Sequence, residues 1–261
     1  MSTDINWKTS EEPIAGCKMH LMRAGSGAPV LVLHHDIGTL DRTPFYDALA
    51  GKFDTLVPHH PGYSRSERPD WMRSVRDVAV AHRWLLSQLG IEKISLVGLG
   101  FGGWIAAEMA TMAPSSVDKL VLVGAMGVKS PDEFILDQAL WNHLEYTRSG
   151  FHDMAAYAKA FGEEPSTDLV VEWEIAREMN FRIAWKPYMY SQTLPHLLGA
   201  VRAPALVVWG DDDKIVPRSA GDIYVKNLPN AQLQMVPACG HYVDLEKPDE
   251  LARLVTDFIA G

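Results

Sequence analysis

The stretch Lys93-Ile94-Ser95-Leu96-Val97-Gly98-Leu99-Gly100-Phe101-Gly102-Gly103-Trp104 runs from an aliphatic segment into a turn holding four glycines. Ile105–Met112 follows and reads as a helix. Strand, glycine-crowded turn and helix in that order describe a sharp reversal that lifts one residue above the end of a sheet. A phosphate loop is the other use of such a turn, but no Gly-Lys-Ser/Thr follows and the spacing fails G-x-G-x-x-G.

Outward from this turn, short β-branched runs alternate with helical periodicity: Val30–His34, Thr55–Pro58, Lys93–Val97, Leu120–Val123 and Ala205–Trp209, with Lys18–Arg23 as a weaker strand near the sheet edge. Strands apolar on both faces belong inside a parallel sheet covered by helices, so the class is α/β. Ser74 and Asp77 form a capping box opening a helix over Val75–Leu89, whose stripe is Val78, Val80, Ala81, Leu85, Leu86 and Leu89. Pro248 opens a last helix to Ile259 with Leu251, Leu254, Val255 and Phe258 on one face. Residues 131–198 break the alternation. They read as helices throughout and hold eleven of the 24 aromatic residues, including Trp141 and Trp185. The expected organisation is therefore a core of residues 1–130 and 199–261 with a helical cap, 131–198, inserted at the carboxyl edge of the sheet.

Composition narrows the partners. With 261 residues, 47% hydrophobic and 22% charged, the chain suits one large core. A net charge of −9 without a basic cluster argues against nucleic acid. No run of about 18 apolar residues suggests a membrane span. The first twenty residues, with Asp4, Glu11 and Glu12, lack the apolar core of a secretory leader, so a cytoplasmic location is expected. Cys17 and Cys239 are read as structural. The pairs His34-His35 and His59-His60 lack the helical i, i+4 spacing of a zinc site, so no metal and no cofactor are expected. A homo-oligomer is left open.

Gly98-Leu99-Gly100-Phe101-Gly102 resembles the nucleophile elbow G-x-S-x-G of the α/β-hydrolase superfamily, with Gly100 where that family carries its nucleophile. Two further segments resemble the family in its chain order. Gly210-Asp211-Asp212-Asp213 is similar to the acid loop, and Cys239-Gly240-His241 to the Gly-His segment before the final helix. The resemblance, nearest to capped esterases and carbon–carbon bond hydrolases, implies an α/β-hydrolase fold: a mostly parallel central sheet, helices on both faces and a helical cap. It implies Asp213 and His241 as acid and base, and the backbone amides of Phe101 and Asp36 as the oxyanion donors. His35 stands where the family has glycine and, with Trp141 and Trp185, is assigned to substrate binding. The Asp36 side chain is read as a solvent-facing turn residue. His60-Pro61-Gly62-Tyr63-Ser64-Arg65-Ser66 resembles the family's loop after the next strand, with Arg65 tying loops together.

Glycine cannot attack, so a covalent intermediate at position 100 is excluded. Three readings follow. The chain is a cofactor-free hydrolase or lyase of a small, largely apolar ester or carbonyl compound, using the His241–Asp213 pair without a covalent nucleophile. Alternatively it is a non-catalytic protein that binds a small molecule or partner, or an engineered Ser-to-Gly variant of a serine hydrolase.

Overall fold

Eight strands form one sheet in the order β1-β2-β4-β3-β5-β6-β7-β8 in a computed structural model that describes residues 5–261. The five central runs read from the sequence are β3 (Pro29–Leu33), β4 (Asp54–Pro58), β5 (Ile94–Leu99), β6 (Val117–Val123) and β7 (Ala205–Gly210). They pair in parallel, as does β8 (Ala231–Val236) on β7. The Lys18–Arg23 segment, β2 (Cys17–Ala24), is one strand in from the edge. The edge itself is β1 (Lys8–Ile14), a strand the sequence reading missed, antiparallel to β2. β1 is mostly exposed and reads KTSEEPI, and β8 alternates polar and apolar as AQLQMV. Neither carries the doubly buried signature of a central strand.

Successive residues of the central strands go to opposite faces. Leu31, Leu33, Leu96, Leu120 and Leu122 join the core under α2 (Val75–Gln88), α3 (Phe101–Met112) and α8 (Arg218–Asn227). Val30, Val32, Val97, Val121 and Val123 join the core under α1 (Pro44–Ala50) and α10 (Pro248–Ala260). The capping box on α2 is formed: the Ser74 hydroxyl accepts from the Asp77 N–H, and the Asp77 carboxylate accepts from the Ser74 N–H. Val80, expected in the α2 stripe, points outward and is 53% exposed.

The segment between β6 and β7 contributes α4 (His143–Ser149), α5 (Met154–Phe161), α6 (Thr167–Ala184) and α7 (Leu194–Leu197), and no strand among the described residues. The first three open on side-chain caps, Asn142, Asp153 and Ser166. An aromatic cluster of Phe151, Tyr157, Phe161, Trp173 and Tyr242 joins these helices to α9 (Val243–Glu246). β3 has β4 on one side and β5 on the other, so the order reverses there. The loops leaving β3 and β5 splay apart at that point, which in open α/β sheets is where a crevice forms.

Candidate active site

Gly100 follows β5 and caps α3 with φ +52°, a left-handed conformation that glycine adopts without cost. Its N–H donates to Val123 O at 2.8 Å, while its carbonyl accepts from the amides of Gly103 and Met126. Close approach explains a second glycine: a Cβ on Gly102 would lie 2.1 Å from Leu33 O, so only a bare backbone lets α3 start against β3. The reversal aims residue 100 at two histidine rings. A Cβ there would lie 2.6 Å from His35 Nδ1 and 2.8 Å from His241 Nε2.

Both rings are held from behind by carboxylates. His241 Nδ1 is 2.8 Å from Asp213 Oδ2, and Asp213 Oδ1 accepts from the amides of Ile215 and Val216 at 2.9 Å. Burial alone would depress the His241 imidazole. The charge and hydrogen bond of Asp213, helped by Asp36 and Asp244, outweigh it and hold the group above its ordinary value. His35 repeats the arrangement, with Nε2 2.8 Å from Asp244 Oδ1. With each carboxylate accepting, the N–H of each ring faces its aspartate and the other nitrogen, His241 Nε2 or His35 Nδ1, presents a lone pair above Gly100.

Asp36 differs from its expected place. Its side chain does not face solvent but is fully buried, because Gln138, Tyr146 and Asn180 of the helical segment between β6 and β7 lie over the loop after β3. Oδ2 accepts from the Tyr146 hydroxyl at 2.8 Å and from Gln138 Nε2. Its carbonyl accepts from Asn180 Nδ2, and Asn180 in turn accepts from the Tyr63 hydroxyl. Burial raises the Tyr146 and Tyr242 hydroxyls well above their ordinary value, and the negative charge of Asp36 adds to this. Among the described residues His35 Nδ1, His241 Nε2 and Asp36 Oδ1 are buried without a hydrogen-bond partner.

Phe101, the first residue of α3, is buried directly after Gly100. The opening N–H groups of a helix have no partner within it, which suits this one to receive developing negative charge. Trp141 is 39% exposed and lines a crevice with Asp36, Ile37, Tyr146, Trp173 and Arg177. Arg177 does not offer a free charge there, since its guanidinium holds both Glu174 oxygens and the carbonyls of Gln138 and Trp141. Trp185 corrects the sequence reading. It packs edge-on against Phe181 and Tyr188, is 48% exposed, and is absent from the crevices reaching Asp36 and His35. Arg65 pairs with Asp41 in the loop after β3. Both cysteines are buried and their thiols are pushed up by burial; Cys239 lies two residues before His241.

The sequence reading missed Asp244 and the buried carboxylate of Asp36. Asp244 lies three residues beyond His241 and meets His35, 209 positions away, so no local spacing could signal the pair. It also missed a buried histidine tract beneath the site. His34 stacks on His60 at 3.6 Å between ring centroids, His60 Nδ1 meets His82 Nε2 at 2.8 Å, and His59 borders His34.

A family model described as alpha/beta hydrolase fold matches residues 29–248. Among curated proteins, the chain is 29% identical to a 2-hydroxy-6-oxononadienedioate/2-hydroxy-6-oxononatrienedioate hydrolase of Dechloromonas aromatica, covering 93% of this chain and 90% of that protein. It is 30% identical to a 2-hydroxymuconate semialdehyde hydrolase of Pseudomonas putida, covering 94% and 92%. Among solved structures, a 2-hydroxy-6-oxo-6-phenylhexa-2,4-dienoate hydrolase from a Rhodococcus strain superimposes with a TM-score of 0.78 at 21% identity, covering 98% of this chain and all of that one.

Proposed function

The chain belongs to the alpha/beta hydrolase fold family, and on that premise we propose that it hydrolyses a small, largely apolar ester or carbonyl compound with water, rather than a side chain of residue 100, as the nucleophile. The observation that carries this reading is the lone pair of His241 Nε2, backed by Asp213 and aimed at the space a Gly100 side chain would fill. A water there attacks the carbonyl carbon and its proton passes to His241. The imidazolium is steadied by Asp213. The oxyanion is received by the backbone amides of Phe101 and Asp36. Collapse breaks the bond to the leaving oxygen or carbon, which takes the proton from His241, so the cycle closes with one water consumed and no covalent intermediate.

The named relatives act on oxo-dienoates, oxononadienedioates and a muconate semialdehyde, compounds with a cleavable bond beside a ketone or aldehyde. Such a bond leaves as a carbanion stabilised as an enolate, within reach of an imidazolium acid. For this chain the apolar lining of Ile37, Trp141 and Trp173 and the engaged Arg177 favour a substrate with less negative charge than a dicarboxylate. Aryl esters and a neutral 1,3-diketone, whose expelled carbon leaves as the enolate of its second carbonyl, are the test substrates. His241→Ala is expected to lower the rate about 10²- to 10⁴-fold. Intact mass under turnover should show no acyl adduct, and phenylmethylsulfonyl fluoride should leave position 100 unmodified. An acyl-enzyme, or a rate indifferent to His241→Ala, would refute the proposal.

A further inference from the structure

The geometry points to a binding site for one divalent transition-metal ion of the zinc class, held by His35 Nδ1, Asp36 and His241 Nε2 above Gly100. The three side chains can bring their ligand atoms within 4.8 Å of one another, and all three are buried. These residues also contribute three orphaned acceptors, a concentration that native interiors avoid unless something occupies the space between them. The point where a Gly100 Cβ would stand is 2.6 Å and 2.8 Å from the two imidazole nitrogens. Zinc–imidazole bonds are about 2.0–2.1 Å, so the rings need to close by roughly half an ångström.

What lies behind the three groups decides between an ion and a water. Metal-bound histidines donate their other N–H to a carboxylate that fixes the tautomer and raises the basicity of the ligating nitrogen. Asp244 does this for His35 and Asp213 for His241, both at 2.8 Å. With Asp36 these make three buried carboxylates, and the ion pairs of Asp213 and Asp244 are with the two histidines. A water satisfies hydrogen bonds but carries no charge. A divalent ion meets two lone pairs, an unpaired carboxylate oxygen and an excess of negative charge together. Two imidazoles and one carboxylate leave coordination positions open for water, a pattern suited to Zn²⁺ and Fe²⁺. Tyr146 and Gln138 hold Asp36 by Oδ2 and leave Oδ1 for the ion.

Binding stands apart from the hydrolytic reading, but its consequence rests on it. With an ion seated, the His241 lone pair would be committed to the metal, and the ion would supply an acidified water as the attacking group at the same place.

The test uses the full chain, stripped with chelator and titrated with Zn²⁺ or Co²⁺. Calorimetry, metal analysis after gel filtration and the Co²⁺ visible spectrum are the readouts. One equivalent per chain is expected, with the tetrahedral or five-coordinate Co²⁺ band. His35→Ala and Asp36→Asn should abolish retention, and His196→Ala, on the surface, should not. Asp244→Asn, which leaves every ligand in place, should weaken binding about 10- to 100-fold. Gly100→Ala should block the site by filling it; far-UV circular dichroism checks that each variant is folded. No uptake by the folded protein at millimolar ion, or uptake indifferent to His35→Ala and Asp36→Asn, would overturn the inference. Stoichiometric binding without hydrolysis upholds it and refutes the hydrolytic reading. Hydrolysis by a protein that takes up no ion does the reverse.

Discussion

Acidification should unfold this protein at an unusually mild pH. His59 and His82 are buried, and burial lowers them from 6.5 to about 2 and about 3. Burial also lowers His60, and its neighbours His34 and His82 push it in the same direction. Their hydrogen bonds fit the neutral form: His60 Nε2 donates to His34 O, so His60 Nδ1 accepts from His82 Nε2, and His59 Nδ1 accepts from the Arg65 N–H. In the unfolded chain each imidazole takes up a proton below about 6.5, whereas the folded chain refuses it down to about 3. The unfolded state therefore binds more protons, and stability falls as pH falls through that window. Each group costs about 1.4 kcal/mol per pH unit, so His59 and His82 together remove about 3 kcal/mol by one unit below 6.5 and about 5–6 kcal/mol by two. A domain has only about 5–15 kcal/mol in total. His241, held above its ordinary value, acts with the opposite sign: its contribution is present below 6.5 and is lost as pH rises through its folded value. Thermal unfolding followed by circular dichroism should show a melting temperature roughly 6–12 °C lower at about pH 5.5 than at neutrality. His82→Gln, which keeps a donor toward His60, should flatten the slope by about 1.4 kcal/mol per pH unit. A melting temperature unchanged between neutrality and about pH 5 would refute the reasoning.

Three more perturbations test separate links. Tyr146→Phe removes the hydroxyl from the buried Asp36 carboxylate, and a loss of about 1–3 kcal/mol is expected in urea unfolding. Ser74→Ala breaks the capping box of α2 and should cost about 1 kcal/mol in the same assay. Gly100→Ser should stay unlabelled by phenylmethylsulfonyl fluoride, because its Cβ would meet a His35 ring pinned by Asp244. Adding His35→Gly should restore labelling on intact-mass analysis.

The fold was legible because its signals are local. VLVL, ISLV and LVLV can only be central strands, and the glycines at 98, 100, 102 and 103 allow one sharp turn. The edge strands were lost because β1 and β8 face solvent and alternate or lack apolar residues. Near Gly100, the pairing of Asp213 with His241 was legible through their loops. Asp36 was misplaced because its burial is conferred by Tyr146 and Gln138, 110 and 102 residues away. Trp185 was over-read for a related reason: aromatic content marks the helical segment between β6 and β7, but which ring faces the crevice depends on how α6 rolls, and this one faces Phe181 and Tyr188.

Gly100 and His35 are best understood together. A side chain at residue 100 and an imidazole at residue 35 compete for one volume, since the Cβ alone would come within 2.6 Å of Nδ1. The resemblance leads one to expect a nucleophile on the elbow and a glycine on the facing loop; this chain has the glycine on the elbow and an imidazole on the facing loop. A deliberate Ser-to-Gly replacement in an ordinary serine hydrolase would empty the elbow and leave the facing loop as it was. It would not add an imidazole there, nor an aspartate 209 residues away to orient it. The same pairing argues against simple decay, because a pocket that had lost its chemistry has no reason to retain buried carboxylates and unpaired acceptors that cost stability. On the proposed reading these groups are kept for what they bind or activate, and the bare turn beneath them gives an attacking water or an ion its room.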